Sequence, residues 1–132
     1  MLKYNEREYT SINDLYGKII KKITGLVPGG DFVTFECTDG SVYEMLHEQD
    51  CCESVSIEDV CGEVKDLLNE PITLAEDVSN YVQRERLDEC DESYTWTYYK
   101  LATRKGYVTI RWYGTSNGYY SESVTIWKKK GV

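Results

Sequence analysis

Residues 56–68, Ser-Ile-Glu-Asp-Val-Cys-Gly-Glu-Val-Lys-Asp-Leu-Leu (SIEDVCGEVKDLL), decide the fold class of this chain. Read as a helix, the stretch has Ser56 as N-cap and Asp59 where a carboxylate reaches back to the cap. Ile57, Val60, Cys61, Val64, Leu67 and Leu68 then lie on one stripe. Asn69 and Pro71 stop it. The spacing therefore predicts one amphipathic helix with Cys61 facing the core.

On either side of this segment the chain reads as β-structure. In DFVTFECTDGSVYEML (31–46), two β-rich runs flank Asp39-Gly40, a pair suited to a tight hairpin turn. A two-residue turn places Glu36 opposite Tyr43 and Phe32 opposite His47. Upstream, a short turn or helix is predicted from Ser11, and KIIKKITGLV (18–27) as a first strand before Pro28-Gly29-Gly30. ITLAEDVSNYV (72–82) fits a strand or a turn of helix, and the acidic run DECDE (88–92) reads as a loop.

The last third is predicted to be a three-stranded antiparallel meander: SYTWTYYKLAT (93–103), GYVTIRWYG (106–114) and GYYSESVTIW (118–127). With a three-residue first turn, Trp96, Tyr98, Ile110 and Trp112 share one face, and Tyr99, Arg111 and Tyr113 the other. The expected whole is one α+β domain over residues 1–132. It is mainly antiparallel sheet, with two or three hairpins, the C-terminal meander and one amphipathic helix.

Length and composition exclude several classes. A chain of 132 residues buries a core without metal or disulfides to hold it. A net charge of -8 makes direct binding to a nucleic-acid backbone improbable, and no apolar run suggests a signal peptide or membrane span. Five cysteines, an odd number with Cys51 and Cys52 adjacent and the rest scattered, suit a reducing cytoplasm better than a disulfide framework.

Chemistry-bearing residue types concentrate before the predicted helix, in His47-Glu48-Gln49-Asp50-Cys51-Cys52-Glu53. Three readings stand. His47, Cys51, Cys52 and Cys61 offer zinc its nitrogen and sulfur ligands, at a spacing that matches no common finger. Cys52 ahead of a helix N-terminus, with His47 as base, suggests a metal-dependent or thiol enzyme. The third reading, preferred here, is a structured corner in which Asp50 and Glu53 bond backbone donors and no cofactor is held. A second candidate is the face carrying Arg111, Tyr99 and Tyr113, where an arginine fork would take phosphate and tyrosines would stack on a base.

The stretches MLHEQDCCESVSIEDVCGEVKDLL, PITLAEDVSN and SYTWTYYKLATRKGYVTIRWYGTSNGYYSESV resemble a family of small uncharacterised proteins encoded by bacteriophages and prophages, over about positions 12 to 126. The resemblance rests on His-x-Gln-Asp-Cys-Cys-Glu and Arg-Trp-Tyr-Gly-x-Ser-Asn-Gly-Tyr-Tyr-Ser-Glu. It implies a viral accessory protein in the host bacterial cytosol that counters a host defence component. The expected function is non-enzymatic: binding a host protein, or sequestering a small nucleotide signal. A homo-oligomer is compatible with that expectation.

Overall fold

A computed structural model describes residues 1–79, 93–118 and 120–131. Its strands are β1 (Arg7–Thr10), β2 (Ile20–Thr24), β3 (Phe32–Cys37), β4 (Val42–Leu46), β5 (Ser54–Cys61), β6 (Leu74–Asp77), β7 (Ser93–Thr103), β8 (Gly106–Ser116) and β9 (Thr125–Lys129). Every strand pairing is antiparallel. One sheet has the order β1-β9-β4-β3-β2 and the other β5-β8-β7-β6.

One hydrophobic cluster draws on both sheets: Val33, Phe35, Tyr43 and Met45 from the first, Ile57, Tyr99, Leu101, Ile110 and Trp112 from the second. Trp112, fully buried, donates its indole N–H to the Met45 sulfur at 3.2 Å, a direct tie between the layers. The loop before β3 adds a backbone tie, Gly29 N–H to Ile57 carbonyl and Ile57 N–H to Gly30 carbonyl, both at 2.7 Å. None of the described helical segments exceeds four residues, and no described helix is long and apolar enough to cross a membrane.

The predicted amphipathic helix is not there, so the α+β class is corrected to an all-β, two-sheet architecture. Ser54–Cys61 is strand β5, and only Val64–Leu67 forms a 3-10 turn. The apolar spacing misled because of a bulge. Ile57 pairs with Trp112 and Asp59 with Arg111, leaving Glu58 as an extra residue. Across a bulge, residues three apart regain the same face, so Ile57 and Val60 both point to the core as they would on a helix. Gly62 closes the helical option: its φ is +108, and a Cβ there would lie 2.2 Å from the Tyr107 carbonyl oxygen.

Two registers are also corrected, each by one residue. In the β3–β4 hairpin Phe35 faces Tyr43 and Phe32 faces Leu46. The Cys37 N–H bonds Ser41 across a three-residue turn in which Gly40 alone takes positive φ, +89. Asp39 fixes that form by accepting the Ser41 N–H at 2.9 Å while pairing with Lys18 at 2.7 Å. In β7–β8 the turn is Arg104-Lys105, with Thr103 paired to Gly106. The Thr103 hydroxyl bonds the Lys105 N–H and the Asp66 carbonyl, holding the shorter turn.

The C-terminal meander is replaced by a hairpin. β8 takes β5 as its second neighbour, while β9 crosses to the first sheet between β1 and β4. Ser11 precedes a 3-10 turn at Ile12–Leu15 as expected, and 72–82 contributes β6, its described part ending at Ser79. The acidic run at 88 to 92 lies outside the described residues.

Candidate functional site

The corner between β4 and β5 is organised by Glu53. Strand β4 delivers His47 and β5 starts at Ser54, so the intervening residues must reverse the chain while both ends stay anchored in different sheets. The Glu53 side chain is fully buried and the His47 ring nearly so. Glu53 accepts the Asp50 N–H at 3.0 Å, the Cys51 N–H at 2.8 Å, the Gln49 amide at 3.1 Å and His47 Nε2 at 2.8 Å. Gln49 also reaches the Glu53 carbonyl at 2.6 Å.

His47 is committed at both ring nitrogens. Nδ1 contacts the Ser123 carbonyl at 2.6 Å and Nε2 the Glu53 carboxylate. Both neighbours are acceptors, so the ring is held between them through its two nitrogens. The remaining lone pairs of the buried Glu53 carboxylate are filled by backbone and amide donors, the condition under which a buried polar pair is tolerated. Burial pushes the Glu53 carboxyl up. The Cys51 N–H, His47 and the Asp50 N–H outweigh it and bring the carboxyl down to about 2 from an ordinary 4.5.

The sequence-predicted groups thus part company. Asp50 contributes its backbone N–H, and Glu53 is the acceptor for the whole turn. Glu48 turns the other way, accepting from the Trp127 indole at 2.8 Å and Arg7 at 3.1 Å, with Arg7 stacked 4.1 Å over the Trp127 ring. Cys51 and Cys52 are joined to each other as a vicinal disulfide on the exposed side of the corner. Cys61, exposed at the far end of β5, is a free thiol. His47, Cys51, Cys52 and Cys61 do not converge, and no group of three His, Cys, Asp or Glu side chains placed to hold a metal occurs among the described residues. The thiol arrangement is likewise not assembled here, since the Cys52 sulfur is bonded to Cys51 and neither nitrogen of His47 is open to a substrate.

The second candidate divides across the sheet. In the β7–β8 ladder Tyr98 pairs with Arg111 and Trp96 with Tyr113, whereas Tyr99 pairs with Ile110. Tyr99 therefore faces the core, 3% exposed, and is removed from the predicted ligand set. Arg111 and Tyr113 share the outer face with Tyr94, Trp96 and Tyr98. Trp96 and Tyr113 rings are 4.3 Å apart, Trp96 and Tyr98 6.5 Å, and Tyr94 and Tyr113 6.2 Å. The Arg111 guanidinium lies 5.1 Å from the centre of the Trp96 ring, a cation–π contact.

Arg111 has no ion-pair partner among the described residues, and its buried Nε has no acceptor there. Asp59 stands opposite it in the β5–β8 ladder without closing a salt bridge. Glu122 is buried and accepts from the Thr95 hydroxyl at 2.9 Å and the Ser116 hydroxyl at 2.5 Å, so it does not pair with Arg111. Trp96 was the residue missed by sequence reading. The one-residue slip of the turn had assigned it to the core face.

An all-β domain of two antiparallel sheets, with an aromatic outer face on one of them, is the class these features define. The family model described as Domain of unknown function (DUF7448) matches residues 13–126, and the chain belongs to that family. The match takes in both the corner and the aromatic face. No curated protein and no solved structure matches.

Proposed function

We propose that this chain is a non-enzymatic protein-binding module that docks a partner on the outer face of the β5-β8-β7-β6 sheet. The observation that carries the reading is the row of half-buried Tyr94, Trp96, Tyr98 and Tyr113 with Arg111 among them. Tyrosine, tryptophan and arginine are the residue types enriched where protein partners bind tightly. Four aromatic rings and an arginine spread over two neighbouring strands offer the extended contact of a protein partner, which favours a protein over a nucleotide signal. Arg111 gives that platform a positive point in an acidic chain, suited to a carboxylate on the partner.

The corner supports the non-enzymatic part of the reading, because its histidine and carboxylate hold each other and the turn. In the setting implied by the phage-protein resemblance, the partner is a host defence protein met in the bacterial cytosol. The test is quantitative affinity capture from host cells with the tagged wild type, Trp96→Ala, Arg111→Ala and, as a control on the other sheet, Lys22→Ala. A partner retained by wild type and Lys22→Ala should fall about 30-fold in affinity with Trp96→Ala, the effect of a residue central to an interface. Equal recovery with all four proteins overturns the proposal.

A further inference from the structure

At the edge where β1 and β9 of one sheet stand over β6 and β7 of the other, the two layers part around a cavity of about 680 Å³. That volume lies in the range of small-molecule sites. Its floor is apolar, with buried Ile12, Ala75 and Ile126. Its charged lining residues are Glu76 and Asp77, and no lysine or arginine lines it.

Two groups on its wall are left with bonding capacity. Thr97 is 4% exposed and lines the cavity, and its hydroxyl has no hydrogen-bond partner among the described residues. On a residue otherwise buried, that hydroxyl is open to the cavity. Asp77 follows Ala75 on the core-facing parity of β6, whereas Glu76 is paired with Lys100 on the outward parity. One Asp77 oxygen, Oδ1, accepts the Ser79 N–H at 2.9 Å and the Ser79 hydroxyl; Oδ2 has no partner among the described residues. The rings of Tyr9 and Tyr99 complete the wall, and aromatic faces favour a cation.

We infer that this inter-sheet cleft binds a small organic cation, an amine with an apolar body, independently of the outer aromatic face. The ammonium sits at Asp77 and donates to its carboxylate, Thr97 supplies a second polar contact, and the apolar body covers Ile12 and Ile126. An anion of the same shape meets only like charge.

The experiment is an NMR titration of the full chain with phenethylamine and hexylamine, and with phenylacetate and hexanoate as anionic counterparts. The amines should shift the backbone resonances of Asp77, Thr97 and Tyr99, and the carboxylates should leave them in place. Asp77→Asn, at an exposed position, should weaken amine binding about tenfold or more, the effect of losing a charge-assisted hydrogen bond. Thr97→Val, which preserves shape, should weaken it by a smaller factor with an unchanged thermal midpoint. Resonances unmoved at millimolar amine, carboxylates that bind as well as amines, or wild-type affinity in Asp77→Asn would each overturn the inference. None of these results depends on whether the aromatic face binds a protein.

Discussion

The corner at 47–53 and the outer face of β7 and β8 are built from opposite materials. The corner holds a histidine, carboxylates and a cysteine pair, the residue types of chemistry, and buries the two that organise it: every Glu53 and His47 bonding group has a partner within the chain. The outer face consists of ordinary strand residues, yet its arginine has an Nε without an acceptor among the described residues. Residue type is thus a poor guide to role when burial and partners are unknown. What separates the two regions is whether the polar groups are already satisfied.

The sharpest way to break this comparison is to remove Glu53. Glu53→Ala leaves the His47 ring buried without its carboxylate and two backbone N–H groups without an acceptor. The thermal midpoint should fall by more than ~10 °C, read by circular dichroism. A variant that stays as stable as wild type would mean that the corner is free for another task. Acid should produce the same loss reversibly. Because the folded carboxyl is held at about 2, below its ordinary 4.5, its stabilising contribution is complete above 4.5 and disappears as pH falls through 2. Urea midpoints of wild type and Glu53→Gln, far apart at neutral pH, should therefore converge across that window.

The outer face should respond in the opposite way. Arg111→Ala is expected to cost about 1 kcal/mol or less in stability, since the side chain is half-buried and makes one cation–π contact, yet to weaken partner capture several-fold. The smallest effect is expected from Cys51→Ser with Cys52→Ser. Bonding adjacent residues closes almost no loop, so the disulfide removes little entropy from the unfolded chain, and Glu53 holds the turn without it. Differential scanning calorimetry should find the double variant within about 2 °C of wild type.

How far the sequence could be read follows from what is local. Two turn signals, Asp39-Gly40 and Arg104-Lys105-Gly106, mark real hairpins, because turn chemistry is written in adjacent residues, whereas Asn117-Gly118 joins no hairpin, since β9 pairs in the other sheet. The registers behind them depended on side-chain caps, Asp39 in one and Thr103 in the other, that set turn length. A slip of one residue moved Tyr99 to the wrong face and hid Trp96. The bulge at Glu58 was invisible for a related reason: strand pairing with β8 creates it, and that pairing spans about fifty residues. In the candidate site, the cluster at 47–53 stood out at once, but its function in the fold rests on the Ser123 carbonyl, 76 residues from His47. No local pattern reports such a partner.

The placement of β9 bears on how the chain acquires its structure. β9 lies between β1 and β4, so the β1 edge has no hydrogen-bonded neighbour until residues 125–129 are available. During synthesis β1 must wait through nearly the whole described chain, while the β2–β3–β4 and β7–β8 hairpins can form as they emerge. Closing that long-range pair is an entropic step that comes late, so refolding should be slow for a domain of this size. Until it closes, β4 exposes an unpaired edge, and that interval is when a ribosome-associated chaperone would have most to shield.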